Sequence, residues 1–318
     1  MPRAIGANCR LLTFPEATYG TAPGGNWRRM PFLSCDLGAE QPLLDADVIG
    51  VGSNRDPAAP FLDIVTVQGQ AVVPVDLVNI GHWLRLLLGP PTTTGTNPNF
   101  IHTYGSGAPS LPSNSIEIGY PDVPSYDVCT GVRADTLEID FSPSGPATAS
   151  FGLMGQGSVR SGTSSGGTPT TAAYTAFHKA QGAISRAGSP LAQVTGARMT
   201  YANGMEMVRT IRADRKIEGV DPGIARATGQ VTVRFADTTL LTQAQNGTAA
   251  EFALSYTIDA NRSLTFTLHE VYLALAKTPI EGPAGVEASF EFRAAFNATA
   301  TRMMTAVLRN QQAASDYA

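Results

Sequence analysis

The sequence predicts a mainly β protein, of sandwich or barrel type, with a flanking short helix in each of two tandem repeats. Three observations lead there. Gly (32) and Pro (22) are frequent among the 318 residues and, with many Ser and Thr, suit short strands joined by turns. Several segments alternate with the period of a strand: Leu137, Ile139 and Phe141 share one face, and Thr136, Glu138 and Asp140 the other. Finally, one order of elements occurs twice. Residues 69–76 read as a strand ending in a capping Asp before an apolar helix that stops at Gly89, and residues 229–237 read the same way before a helix that stops at Gly247. Similar phrases precede them at 47–51 and 216–221. Downstream, 135–139 leads to 149–151 as 270–273 leads to 288–290. A period this long marks a duplicated domain rather than a solenoid, and duplication favours symmetric assembly.

Taken in order, residues 1–29 hold Pro15, Gly20, Pro23, Gly24 and Gly25 with only a short apolar patch at Leu11, Leu12 and Phe14, and read as an N-terminal arm. The first domain spans 30–157. Short strands reach Val75, and Asp76 then caps a helix in which Leu77, Ile80, Leu84, Leu87 and Leu88 fall near helical spacing. Residues 92–114, rich in Thr, Gly, Pro and Ser, are too long for an ordinary connection and read as a projecting loop. Strands follow at 115–120, 127–133, 136–141 and 147–153. The Gly, Ser and Thr of 158–171 open a linker, 158–186, whose residues 172–186 read as a short helix. The second domain, 187–310, has strands near 193–200, 206–211, 230–235, 251–257, 263–275 and 286–296, a helix at 238–245 and an amphipathic piece at 299–310. Residues 311–318 form a polar tail.

Composition narrows the function. A net charge of −4 offers no general attraction to phosphate, which disfavours a sequence-independent nucleic-acid binder. Cys9, Cys35 and Cys129 are odd in number and lack metal-like spacing, as expected of a reducing compartment. The first ten residues contain no apolar signal region, and no apolar run approaches the ~20 residues of a membrane-spanning helix. Asn246, Asn261 and Asn297 begin glycosylation-like triplets that mean little without secretion.

Catalytic patterns are missing. His82, His102, His178 and His269 are scattered, with no zinc-holding pair on one helical face, and His82 beside Trp83 reads as structural. His269 and Glu270 are neighbours on a strand and point to opposite sides. Residues 50–55 begin like a dinucleotide loop but place Arg55 at the third glycine, so they read as a turn. Asp45 and Asp47 lack further oxygen ligands, and Trp27 with Arg28 and Arg29 is too small a set for a base-stacking platform. Polar sets at Glu138 and Asp140 and at Glu287, Ser289, Glu291 and Arg293 describe a solvated, largely acidic sheet face. Such a face is either a protein's outside or the wall of a water-filled channel.

Residues 16–23 (Glu-Ala-Thr-Tyr-Gly-Thr-Ala-Pro), Trp27, Met30-Pro31-Phe32, Val67-Gln68-Gly69-Gln70, Pro74-Val75-Asp76, Trp83-Leu84, Leu88-Gly89 and Leu111-Pro112-Ser113 occur in an order that resembles the tail tube proteins of long-tailed (siphovirus-type) bacteriophages. The similarity is densest over 6–155 and extends more diffusely to about 310. It implies a structural virion protein, assembled in the host cytoplasm with other tail proteins. Its sandwich-like tube domains would close six to a ring around a continuous inner β-barrel, and the rings would stack through loops and arms. The duplication matches the tandem variety, whose homotrimeric rings are pseudo-hexameric; a homohexamer is the alternative. DNA would pass without specific binding, and the reading includes no cofactor, membrane or enzyme activity. It makes Glu138, Asp140, Glu287 and Glu291 candidate lumen-lining residues, and Tyr19, Trp27, Phe100 and Tyr104 candidate ring-to-ring contacts. The rival readings are a baseplate hub or another tube-like virion component and, further off, a β-rich hydrolase. An outer-membrane barrel is disfavoured by the two internal helices.

Overall fold

The computed structural model describes residues 3–46, 48, 56–280 and 282–318. Asp47, the turn read at 50–55 and most of the 47–51 phrase lie outside the described residues. The first half runs β1 (Arg10–Pro15), β2 (Arg28–Met30), β3 (Ser34–Cys35), β4 (Gly38–Glu40), β5 (Leu43–Leu44), β6 (Phe61–Leu62), β7 (Thr66–Pro74) and helix α1 (Asn79–Leu88). It continues with β8 (Thr92–Thr96), β9 (Asn99–Gly105), β10 (Asn114–Tyr120), β11 (Ser125–Phe141), β12 (Thr148–Gly155) and β13 (Gly157–Ser161). The second half runs β14 (Gly182–Arg186), β15 (Ser189–Pro190), β16 (Val194–Ala202), β17 (Glu206–Val208), β18 (Gly219–Asp221), β19 (Arg226–Arg234) and helix α2 (Thr239–Asn246). It ends with β20 (Ala250–Asp259), β21 (Arg262–Leu273), β22 (Glu287–Ala294) and β23 (Met304–Asn310).

The helices form where their caps dictate. Asp76 Oδ1 accepts the N–H groups of Val78 (2.9 Å) and Asn79 (2.5 Å), satisfying donors that a first turn leaves open. Gly89, at φ 93°, ends α1, and its apolar side buries Ile80, Trp83, Leu84 and Leu87. Asp237 Oδ1 accepts Thr239 N–H (2.8 Å) ahead of α2, which stops at the left-handed Gly247. The second helix is shorter and buries only Leu240 and Gln243.

The pairing pattern is the same in both halves. An outer antiparallel sheet orders β1–β10–β11–β13 in one and β14–β20–β21–β23 in the other. An inner sheet orders β3/β4–β7–β12–β11 in one and β16–β19–β22–β21 in the other. One long strand serves both layers. In β11 the residues to Val132 pair with β10 and β13, and those from Arg133 pair with β12 and β16. Gly131 (φ 65°) and a register shift between Ala134 and Thr136 make the bend. The strands read separately at 127–133 and 136–141 are therefore one kinked strand. β21 changes layer in the same way after Leu268.

The two inner sheets join. β11 and β16 pair over six residue pairs, from Thr136 with Ala202 to Phe141 with Ala197, giving one sheet of eight strand positions: β3/β4–β7–β12–β11–β16–β19–β22–β21. Its inner face, with Val73, Phe151, Ile139, Met199, Val231 and Phe290, belongs to a single core shared by both halves.

Three expectations change. The 92–114 segment is not a free loop: β8 and β9 form a hairpin, and β9 pairs with β23 over six residue pairs. Alternation explains it, since His102 and Tyr104 are buried in β9. Residues 1–29 are not a detached arm, because β1 pairs with β10 and β2, while Leu12 and Trp27 form a small core with Val128. The 158–186 stretch is bound along its length. Buried Glu117 accepts Ser164 Oγ and Ser165 N–H (both 2.6 Å), and Thr170 N–H donates to Trp27 O (2.9 Å). Its expected helix is instead a short 3-10 turn, Lys179–Gln181, followed by β14, which pairs with β20 along its whole length.

Candidate lumen face and strand edges

The solvent side of the eight-position sheet is built in rows across the strands. Asp140 on β11 lies opposite Arg198 on β16, which lies opposite Gln230 on β19, which lies opposite Glu291 on β22. The next row runs Ser150, Glu138, Thr200, Thr228, Arg293. Further along, Thr232 and Ser289 hydrogen-bond through their hydroxyls (2.8 Å), and Arg234 lies opposite Glu287. Glu138, Asp140, Glu287 and Glu291, although far apart in sequence, therefore share one face of one sheet.

That face is charge-balanced rather than acidic. Arg198, Arg234 and Arg293 stand in the same rows as the four carboxylates, and Arg226 lies two residues before Thr228 on the same face of β19. Arg198 pairs with Glu138, Lys179 Nζ lies 2.6 Å from Asp140, and Arg234 Nε lies 3.4 Å from Glu287. Glu291 has no ion pair among the described residues. Arg293 was read with this face, whereas Arg198, Arg226 and Arg234 escaped the sequence reading because strand register, which no local pattern encodes, decides which charges meet.

The four aromatic contact candidates separate differently. Trp27 is fully buried, its Nε1 donating to Pro23 O (3.1 Å), and Tyr104 is fully buried, its hydroxyl donating to Gly81 O (3.1 Å). Neither has surface to offer a neighbour, since each belongs to its own chain's core. Tyr19 lies beneath the Arg133 guanidinium, 4.9 Å from ring centre to Cζ, and burial raises its phenol pKa. Phe100, partly exposed on β9, stacks at 6.3 Å on His102.

The residues around Tyr19 explain part of the sequence resemblance. Glu16 Oε1 accepts Ser115 Oγ (2.7 Å) and Gly131 N–H (2.8 Å), while Oε2 accepts Ser113 Oγ (2.7 Å) and Gly20 N–H (2.9 Å). One carboxylate thus fastens the N-terminal segment to the bend of β11. Gly20 and Gly131 both have positive φ there, and Gln156 together with Tyr19 leaves no room for a side chain at Gly131.

Two surface hairpins were not read as such from the sequence, although the strand near 206–211 covers β17. β5–β6 leaves the inner sheet between β4 and β7, and β17–β18 leaves it between β16 and β19, the equivalent place in the other half. They approach one another where Val65 N–H donates to Arg215 O (2.8 Å). Leu43, Leu44, Phe61 and Leu62 on the first and Ile211 at the tip of the second are exposed. The available signal was the pair of apolar doublets beside Pro42 and Pro60.

Among the described residues no group of three or more His, Cys, Asp or Glu is arranged to hold a metal, and no helix is long and apolar enough to cross a membrane. A mostly antiparallel sandwich whose eight-position sheet has a solvated, ion-paired face and, among the described residues, an open edge at each end is suited to extension by further strands. The family model for phage tail tube proteins matches residues 6–294, and the chain belongs to that family. Comparison with curated proteins finds no match.

Proposed function

We propose that the chain builds the tail tube itself. Three copies close into a pseudo-hexameric ring, with the halves β1–β13 and β14–β23 as two quasi-equivalent tube domains. The solvated face of the eight-position sheet lines the lumen. The paired hairpins β5–β6 and β17–β18 carry apolar surface to the next ring. Other tail proteins cap the stack, which assembles in the host cytoplasm.

The observation that supports this most directly is the β11–β16 junction, where the sheet of one half continues into that of the other and the same four-position pattern starts again. A unit that repeats edge to edge once can repeat until the sheet closes, and closure removes the exposed edges. The face also suits DNA transit. Its arginines are interleaved with carboxylates, so no unbroken basic stripe exists to hold phosphates by counterion release. Native mass spectrometry and averaged electron micrographs of assembled tubes test the stoichiometry. Three chains per ring is the expected result, and six would mean that one half decorates the ring rather than forming its wall.

A further inference from the structure

We propose that the ring closes by antiparallel pairing of residues 274–280 of one copy with β3–β4 of the next, placing Leu275 opposite Ala39 and Lys277 opposite Leu37. This rests on the ring reading above and adds to it the two edges and their register.

The chain contains its own template. In the inner sheet Cys35 and Ala39 lie opposite Ala71 and Val67, just as Ala197 and Tyr201 lie opposite Val231 and Ala227. Ala71 and Val231 in turn face Phe151 and Phe290. Residues 35–40 of the first half therefore occupy the place of 197–202 in the second. At the other end Leu153 faces Ala134 as Phe292 faces Leu273. One step on, Gly152 faces Thr136, and Ala274 N–H donates to Glu291 O (2.8 Å), which puts 274 in the place of 136. Inside the chain Leu137 pairs with Tyr201 and Ile139 with Met199. Transferring those pairs to the equivalent positions gives 275 with 39 and 277 with 37.

The two edges need a partner and cannot use each other. They lie at opposite ends of the eight-position sheet. Residues 274–280 form no strand, and Leu275 (64%) and Ile280 (81%) are largely exposed, although 136–141, in the equivalent place, are a regular strand with Leu137 and Ile139 buried. The difference is the neighbour: 136–141 has β16 beside it, and 274–280 has no strand on that side among the described residues. A second copy is the fitting occupant because its β3–β4 is the counterpart of β16. Even the backbone approach is repeated, since Gly69 sits against Leu37 and Gly229 against the Arg198 carbonyl beside Met199. Pairing supplies the missing ladder and covers Leu275.

The test introduces Ala39→Cys and Leu275→Cys into a full chain carrying Cys9→Ser and Cys35→Ser, leaving the buried Cys129 in place. Tubes are assembled under reducing conditions, checked by negative-stain microscopy, treated with a short thiol-to-thiol crosslinker and run on a denaturing gel. The expected result is a covalent ladder ending at the number of chains in the ring, with neither single variant crosslinking. A second pair, Glu40→Cys with Ala274→Cys, samples the opposite face of the same register in case the first does not fold. Leu275→Cys with native Cys35 retained is out of register by four residues and should crosslink at least tenfold less. Well-formed rings in which neither in-register pair crosslinks would overturn the edge assignment while leaving the ring reading intact. A parent chain that stays monomeric at all concentrations would overturn both.

Discussion

Replacing Glu138, Asp140, Glu287 and Glu291 together by Lys tests the lumen assignment. Each exchange moves the charge by two units, taking the chain from −4 to +4 and repeating the change around every ring. Three ion pairs are lost, Glu138–Arg198, Asp140–Lys179 and Glu287–Arg234. All are at least partly exposed, and such pairs contribute roughly 0.2–1 kcal/mol each. The largest penalty falls at Asp140, because Lys179 is the least exposed partner and would face a second ammonium. Losses and new repulsions together come to about 2–4 kcal/mol, within the margin of a typical folded chain. Thermal unfolding should therefore show a cooperative but lowered transition, and micrographs should show tubes of normal diameter. The lumen would become a continuous basic wall, since the face already carries Arg198, Arg226, Arg234 and Arg293. DNA should then be retained, with a release that depends steeply on salt, and delivery to host cells should fall. Normal delivery from tubes that fail to retain DNA would place these carboxylates on the outside and refute the reasoning.

Other expectations follow from single contacts. Asn203 Nδ2 donates to Leu87 O (2.9 Å) and Ala134 O (3.1 Å), and its Oδ1 accepts the Tyr201 hydroxyl (3.1 Å); Asn203→Ala should cost about 2–4 kcal/mol in denaturant titration, and a loss under 0.5 kcal/mol would contradict that role. Burial, helped by the charges of Arg28 and Arg85, lowers the His82 pKa to about 3. The unfolded chain therefore binds the extra proton between about pH 6.5 and 3, and stability should fall as pH drops through that window, by about 2 kcal/mol at pH 5. His82→Gln should flatten this part of the profile, and an unchanged slope would assign it elsewhere. Deleting residues 1–29 removes β1, β2 in part and Trp27; the truncated chain should lose its cooperative unfolding transition rather than merely fail to polymerise. Leu43→Ser with Phe61→Ser should leave the melting temperature within about 2 °C of the parent, because both side chains are exposed, yet yield isolated rings by microscopy. Long tubes from that variant would remove the hairpins from ring stacking.

What the sequence made legible was local. The Asp76 cap, the α1 apolar positions and the stop at Gly89 are signals within one segment, and the helix forms where they place it. The alternation of β12 and β22 likewise follows from neighbouring residues facing one core. Long-range pairing was not legible. Nothing between Asp127 and Phe141 reveals one strand shared by two sheets, because the bend at Gly131 is held by Glu16, more than a hundred residues away. The Gly- and Ser-rich 158–171 stretch has linker composition, yet its backbone is pinned by the buried carboxylate of Glu117. Of the site, the four carboxylates were found by their alternation. Arg198, Arg226 and Arg234 beside them and the pairing of the apolar hairpins were not, since register and exposure are properties of the folded sheet.

The pairing of β9 with β23 bears on when the protein can assemble. Helix α1 is closed over by residues from the far end of the chain: Tyr317 donates its hydroxyl to Val78 O (2.8 Å), and Asn310 Nδ2 donates to Leu77 O (2.7 Å). During synthesis the first half leaves the ribosome well before these residues exist, so its helix waits uncovered and its contacts form late. The edge at 274–280 also emerges last among the inner-sheet elements apart from β22. A chain made only as far as β20 would therefore have neither the finished core nor both of the edges proposed to pair. In the proposed ring, the interlock would tie self-association to the synthesis of β22 and β23.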